Sequence, residues 1–180
     1  ETVILQSGHA VFTLATLPAA SYPKPAFSEA SSTITVTNFP KLVRRTAFAL
    51  LENCVDKPAY GCIRLDIVSN RAIATTTNLE GFTQVAVPVT VEGKASEKLL
   101  LVLVPSYAAK YISSVLDAKE ALTIGITDHE LIFSAHGLLA SCPACKNEFL
   151  EPSRILQHVK PSYSALVECE AFCKALQSLE

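Results

Sequence analysis

The 180-residue sequence has no methionine, no tryptophan and no long apolar run. Its longest apolar run covers residues 99–104, whereas a helix that spans a membrane needs about 20 apolar residues. The first residues also lack the basic segment that opens a secretory signal, so we expect a cytosolic protein. The missing initiator methionine fits a processed or excised segment.

Positive charge is not in excess: 15 Lys and Arg residues stand against 17 Asp and Glu residues, which gives a formal net charge of −2. This balance excludes a globally basic nucleic-acid-binding protein. A local basic patch stays compatible with the sequence, because binding depends on the local field and not on the net charge.

The sequence also lacks the patterns of common catalytic and cofactor sites. It has no glycine pattern of a phosphate-binding or dinucleotide-binding loop. The histidines are scattered without the context of a catalytic triad, and the carboxylates form no metal-binding run. We therefore expect no catalytic activity and no cofactor.

Six cysteines are present, and reduced thiols are the expectation for a chain with this many core residues. Cys142 and Cys145 form a Cys-x-x-Cys pair, and Cys169 and Cys173 could complete a tetrahedral zinc site. The second pair lacks the usual zinc-knuckle spacing, however, and the first follows a predicted strand, whereas a redox pair favours the start of a helix. We expect buried or incidental thiols, with a small zinc-stabilised protein as a less favoured alternative.

The chief feature that is present is a repeated order of strand, helix and three strands. The first copy has a strand at 33–37, a helix from the cap Asn38 and Pro40 to Leu51, and strands at 60–68, 71–76 and 82–91. The second copy has a strand at 98–104, a helix at 105–116, and strands at 121–127, 130–135 and 138–142. The repeat predicts an α+β fold in which two equivalent halves share one core.

Shorter segments flank the repeat. Residues 2–17 have the pattern of a hairpin with a turn at Ser7 and Gly8, and residues 18–32 have the prolines of an extended linker. After residue 164 a third copy begins, with a predicted strand at 165–168 and a helix at 171–176. A helix this short cannot bury its apolar face alone.

Four segments in this order resemble one known family. They are residues 12–23 (FTLATLPAASYP), the helix and return strand at 42–61, Val104-Pro105 with its helix, and residues 149–156 (FLEPSRIL). The chain is similar over nearly its full length to the bacterial DNA polymerase III β subunit, the sliding clamp. The resemblance implies the sliding-clamp fold, with residues 1–32 ending one clamp domain, 33–158 forming a complete second domain, and 159–180 beginning a third.

The resemblance also implies a function. Sliding clamps are non-catalytic subunits of a DNA-directed DNA polymerase holoenzyme in the bacterial cytoplasm, and they close as ring-shaped homodimers around duplex DNA. Their helices face the DNA, which assigns Lys41, Arg44, Arg45 and Lys110 to sequence-independent phosphate contacts. A cleft in the family captures short peptide motifs of the polymerase, the clamp loader and repair proteins. The residues at the matching positions are Thr77, Leu79, Phe82, Leu150, Arg154 and Ile155.

The chain departs from the family at two of these places. Residues 77–82 (TNLEGF) replace the usual Thr-Asp-Gly-(His/Tyr)-Arg-Leu, and Leu150 and Pro152 stand where Pro and Tyr are usual. The second helix is poor in positive charge. These differences support an alternative: a divergent clamp-fold module that binds peptides or regulates without encircling DNA.

Overall fold

The computed structural model describes residues 2–21, 27–51, 55–93, 100–154 and 162–178. Its ten strands are β1 (Thr2–Ser7), β2 (Ala10–Ala15), β3 (Ser32–Thr37), β4 (Cys62–Val68), β5 (Arg71–Thr77), β6 (Phe82–Gly93), β7 (Leu100–Pro105), β8 (Ala121–Ile126), β9 (Glu130–Ala135) and β10 (Leu138–Pro143). It also has the α-helices α1 (Phe39–Thr46), α2 (Ser106–Val115) and α3 (Cys169–Gln177), residues 152–154 are helical, and 3-10 turns lie at Ala19–Ser21, Ala47–Ala49 and Pro58–Gly61.

Strands β3 to β10 form one antiparallel sheet in the order β10-β9-β8-β3-β6-β5-β4-β7. The two predicted halves are β3-α1-β4-β5-β6 and β7-α2-β8-β9-β10, so the repeat read from the sequence is confirmed. Each half gives its first strand to the other: β3 pairs with β8, and β7 pairs with β4. The long strand β6 joins both parts, because it pairs with β3 near its end and with β5 near its start.

Side chains of β3 alternate between the two faces of the sheet, and those on the inner face pack in the core with the helices. Ile34 and Val36 are buried. Thr35 points to the opposite face, where its hydroxyl is hydrogen-bonded to that of Thr123 of β8 at 3.2 Å. Phe39 and Leu42 of α1 belong to the same apolar cluster as these strand residues. The helices and the sheet therefore share one core, as the repeat predicts.

Helix α1 differs from its prediction at both ends. Asn38 stands at the N-cap position, but it adopts a left-handed conformation (φ 57°) and its side chain makes no capping hydrogen bond. The helix ends at Thr46 and not at Leu51, because Leu50 turns to an extended conformation that buries its side chain. The Thr46 hydroxyl donates to the carbonyls of Leu42 and Val43 in the last turn.

The flanking segments follow their predictions in part. The hairpin β1-β2 forms around Gly8, which has a φ of 59°. Helix α3 forms with the Glu168 carboxylate accepting from the amides of Glu170 and Ala171, and none of its described residues is buried. The strand predicted at 165–168 is wrong, because no described strand lies beside it to supply hydrogen bonds.

No helix in these described ranges is long and apolar enough to cross a membrane.

Candidate functional site

Several predicted site residues lie at one end of the sheet. Because the ladder is antiparallel, the start of β4, the end of β5, the start of β6 and the end of β7 meet at this end. Thr77 pairs with Phe82 across the β5-β6 turn, and Cys62 pairs with Pro105. The 3-10 turn Pro58–Gly61 leads into β4 at the same end.

The β5-β6 turn is held by its own side chains. The buried Thr77 hydroxyl donates to the Gly81 carbonyl (2.7 Å) and accepts from the Leu79 amide (3.1 Å). The Asn78 side-chain carbonyl accepts from the amides of Glu80 and Gly81. These bonds hold Leu79 at a φ of 74°, a left-handed conformation that costs an L-residue about 1–2 kcal/mol.

This turn presents apolar side chains to solvent. Leu79 is 51% exposed, Phe82 is partly buried, and the nearby Phe48 is 73% exposed. The Phe48 ring lies 3.9 Å from the position that a Cβ atom on Gly81 would take. We call Phe48, Leu79 and Phe82 the turn patch. Phe48 was not predicted from the sequence, since its place after Thr46 was attributed to a longer helix.

A second group lines a concavity beside the strand β4. We call it the linker concavity, after the segment that follows β10 and forms most of its border. It has a volume of about 550 Å³ and is bordered by Tyr60, Arg64, Leu101, Lys146, Asn147, Glu148, Phe149, Leu150, Glu151 and Arg154. It brings together two of the predicted cleft residues, Leu150 and Arg154. Thr77, Leu79 and Phe82 do not line it, and Ile155 lies outside the described residues.

Aromatic packing forms one wall of the linker concavity. The rings of Tyr60 and Phe149 are 5.3 Å apart and inclined at 59°, a tilted arrangement that aromatic pairs favour. Leu51 donates its amide to the Tyr60 carbonyl, which ties this wall to the chain after α1. Tyr60 was predicted as part of a strand, but it lies in the 3-10 turn because β4 begins only at Cys62.

Arg64 of β4 lies behind this wall and was also missed from the sequence. Its side chain is 3% exposed and pairs with Asp66, at a shortest distance of 2.8 Å, and with Glu151 at 3.0 Å. Burial lowers the pKa of Arg64, but the hydrogen bonds and charges of Asp66 and Glu151 outweigh it, so the pKa is raised above its ordinary value. The guanidinium is therefore a permanent charge inside the fold.

The predicted basic residues lie on the helix side of the sheet. Lys41, Arg44 and Arg45 are exposed on α1, opposite its buried residues, and Lys110 is exposed on α2. The two helices contact each other. Lys41 and Arg45 also border a hollow of about 140 Å³ between α1 and β6. The four cations thus belong to one helix layer, with Tyr107 and Tyr111 exposed on α2.

The five cysteines within the described residues are divided between the sheet side of the fold, with Cys62, Cys142 and Cys145, and the exposed helix α3. Cys62 and Cys142 are buried, Cys145 is partly buried, and Cys169 and Cys173 are exposed. Burial raises the pKa of the Cys62 thiol, and the neighbouring Cys145 and Cys142 raise it further. Among the described residues, no three His, Cys, Asp or Glu side chains are arranged to hold a metal ion, so the zinc alternative gains no support.

No protein-family profile and no curated protein sequence matches the chain. Solved structures do match it. The DNA polymerase sliding clamp from Bacillus subtilis has a TM-score of 0.72 and 20% identity, over 91% of this chain and 42% of the clamp. A DNA polymerase III β sliding clamp from Pseudomonas aeruginosa bound to griselimycin has a TM-score of 0.71 and 16% identity, over 86% of this chain and 42% of that clamp. The chain spans less than half of the length of these clamps, and at these identities the likeness establishes the fold.

Proposed function

Since the chain has the fold of the bacterial β sliding clamps, we propose that it is the central part of such a clamp, a non-catalytic processivity factor of a DNA polymerase. In this role residues 1–32 end one clamp domain, residues 33–158 form a complete domain and residues 159–180 begin another. The whole protein would be a ring-shaped homodimer in the bacterial cytoplasm, with polymerase, clamp loader and repair proteins as its partners.

The observation that carries the DNA part of this proposal is the helix layer. Helices α1 and α2 lie side by side, and Lys41, Arg44, Arg45 and Lys110 are exposed on them. Flexible cations on a helix surface attract phosphates without reading bases, which suits a protein that must slide. A closed ring then keeps the polymerase at a high effective concentration near the primer end.

This part is tested by the salt dependence of duplex binding. The triple variant Lys41→Ala/Arg44→Ala/Arg45→Ala should lower the slope of log K against log salt by about 0.9 for each phosphate that is no longer neutralised. The measurement is fluorescence anisotropy with two 30-base-pair duplexes of unrelated sequence. The matched control is Arg71→Ala, which removes an exposed cation from a strand and should leave the slope unchanged.

Two results would contradict the DNA role. One is a triple variant with the slope of the parent chain; the other is a strong preference for one duplex sequence. For a protein that carries this chain as its central part, retention on primed circular DNA with loss from linear DNA is expected. Equal retention on both would reject the ring.

The peptide part of the proposal is supported by the turn patch and the linker concavity. Burial of an apolar anchor contributes about 1.5–3 kcal/mol, so an exposed leucine and two phenylalanines offer useful binding energy. Leu79 is held in an unfavourable conformation at the surface, and such strain is concentrated at functional sites. Griselimycin, the compound in one Pseudomonas aeruginosa clamp structure, is a suitable probe.

A second candidate function keeps the peptide part alone. The exposed Tyr107 and Tyr111 on α2 and the net charge of −2 favour a clamp-fold module that binds peptides without encircling DNA. The two candidates differ in a simple pair of measurements. Griselimycin binding by calorimetry, together with no duplex binding at low salt, would select the peptide-binding module.

A further inference from the structure

A buried arginine stands near the start of the strand β4. Arg64 is 3% exposed, with the buried Ile63 and Leu65 on either side of it along the strand. A buried guanidinium is costly unless its donors are satisfied and its charge is paired. Its partners therefore show what the position is arranged to hold.

The first partner belongs to the same strand. Arg64 Nε donates to both carboxylate oxygens of Asp66, at 3.0 and 2.8 Å, and Nη2 donates to Oδ1 at 2.8 Å. Residues two apart in a strand point to the same side of the sheet, so this fork-shaped pair is built by β4 alone. It satisfies much of the charge and leaves the outer donors of the guanidinium available.

The guanidinium also contacts three consecutive residues after β10. Arg64 Nη1 donates to the Leu150 carbonyl at 3.3 Å, and Nη2 donates to Glu151 Oε2 at 3.0 Å. The guanidinium carbon also lies 5.8 Å from the centre of the Phe149 ring, within the range of a cation–π contact. One side chain thus contacts every residue from Phe149 to Glu151.

Apolar packing also links the segment 145–151 to the sheet. Within the described residues, its backbone makes no backbone-to-backbone hydrogen bond to a strand, whereas Ala144 just before it donates to the His129 carbonyl. Cys145 and Phe149 pack against the buried Ala59, Cys62 and Leu103, and the Phe149 ring also pairs with that of Tyr60. The segment still supplies the border of the linker concavity from Lys146 to Glu151.

We propose that Arg64 is a positioning residue, which fixes the segment 149–151 against β4 and so preforms the linker concavity for its peptide ligand. The proposal rests on the peptide-binding function proposed above. Preformation matters because ordering a loop during binding reduces affinity. Arg64 acts through Leu150 and Glu151, and Asp66 holds the guanidinium at the required angle.

Arginine is needed here because of its shape. Lysine could pair with Asp66, but its single ammonium cannot hold Asp66, the Leu150 carbonyl and Glu151 in one planar fork. Arg64→Lys therefore keeps the buried positive charge and removes the link to the segment. Arg71→Lys on the neighbouring strand is the matched control.

Backbone order parameters from NMR relaxation test the positioning role directly, without a ligand. In Arg64→Lys, the order parameters of residues 149–151 should fall from the rigid value of about 0.85 to below about 0.6. Those of β8 and β9 should not change. Unchanged order parameters in 149–151, or an equal fall in β8 and β9, would overturn the proposal.

Two changes at Glu151 separate positioning from charge neutralisation. Glu151→Gln keeps an acceptor for Nη2 and should leave the order parameters of 149–151 close to those of the parent, since a neutral acceptor weakens the bond only in part. Glu151→Ala removes the acceptor and should lower them more. If Arg64 only neutralises Asp66, neither change will affect the segment, and the proposal fails.

Griselimycin affinity, measured by calorimetry, adds the readout that a purely structural role would not move. If the parent chain binds, Arg64→Lys should weaken binding about tenfold at a temperature where both proteins are fully folded, as removal of a charged hydrogen bond predicts. Unchanged affinity would overturn the link between Arg64 and the ligand. If the parent chain does not bind, the peptide-binding function is rejected, while the order parameters still decide whether Arg64 fixes the segment.

Discussion

Leu79 illustrates, at the scale of one residue, how this domain gives up stability near a candidate binding surface. Its φ of 74° is unfavourable for an L-residue, and its side chain is 51% exposed and gains little from burial. The hydrogen bonds of Thr77 and Asn78 enforce the conformation. A turn selected for stability alone would have glycine here.

Leu79→Gly should therefore stabilise the domain by about 0.5–1 kcal/mol, since relief of the left-handed strain exceeds the entropy cost of glycine. The same change should weaken griselimycin binding, because it removes an apolar anchor of the turn patch. Chemical denaturation and calorimetry check the two effects. Leu79→Ala is the control: it removes the anchor, keeps the strain and should not stabilise. Stabilisation without weaker binding would separate Leu79 from the ligand site.

At the residue scale, exposure on a helix could be predicted from the local pattern, whereas contacts with distant partners could not. The exposed cations of α1 follow from helical spacing, and the structure places Lys41, Arg44 and Arg45 opposite the buried face. Arg64 gave no such signal. Its main partner outside the strand is Glu151, 87 positions further along the chain. A single sequence does not show that two residues so far apart along the chain are in contact in the fold.

At the scale of elements, the strands were predicted well and the ends of elements less well. The bounds of β9 agree fully, and those of β8 and β10 differ by one residue, because alternating burial and tight turns are local signals. The end of α1 depends on the burial of Leu50 in the shared core. The start of β4 depends on the 3-10 turn that begins at Pro58.

The segment that precedes β3 is attached to the turn between β8 and β9 by a titrating group. Glu130 Oε1 accepts from the Ser28 amide at 3.0 Å, and Ser31 donates to the Ile126 carbonyl nearby. The Ser28 hydrogen bond lowers the pKa of Glu130 below its ordinary value. Gly125 permits this close approach, since a Cβ atom there would lie 3.0 Å from the Ala30 Cβ.

This attachment should be lost on acidification. A carboxylate whose folded pKa is depressed contributes its stabilisation above the unfolded pKa, which is about 4.3 for Glu, and loses it as the pH falls through the lower folded value. NMR should show the Ser28 amide shift titrating with a midpoint below the ordinary value of a Glu side chain. In Glu130→Gln, which keeps an acceptor but does not titrate, the transition should be absent. A midpoint above the ordinary Glu value would contradict the assignment.

At the scale of the molecule, the first strand of each half pairs with a strand of the other half, and these pairings decide whether the two halves unfold together. The sequence showed the repeat, but it could not show that β3 lies between β6 and β8, because those pairings join distant parts of the chain. These strand pairings place the buried side chains of both halves in one apolar cluster. A clamp-like ring would need such a unit to behave as a rigid segment.

Because β3 pairs with strands of both halves, a destabilising substitution in β3 should affect both halves. Ile34 is fully buried, and Ile34→Ala should destabilise the domain by about 2–5 kcal/mol through reduced burial and the cavity left behind. Since β3 bridges β6 and β8, amide protection in β4-β5 and in β8-β9 should fall together, in one denaturation transition. Hydrogen exchange at increasing urea measures both regions in the same sample.

Val68→Ala, at a half-exposed position of β4, should change stability by less than about 0.5 kcal/mol. If β4-β5 kept its protection at urea concentrations where β8-β9 had lost it, the halves would be separate folding units, and the shared core would not make them one rigid body.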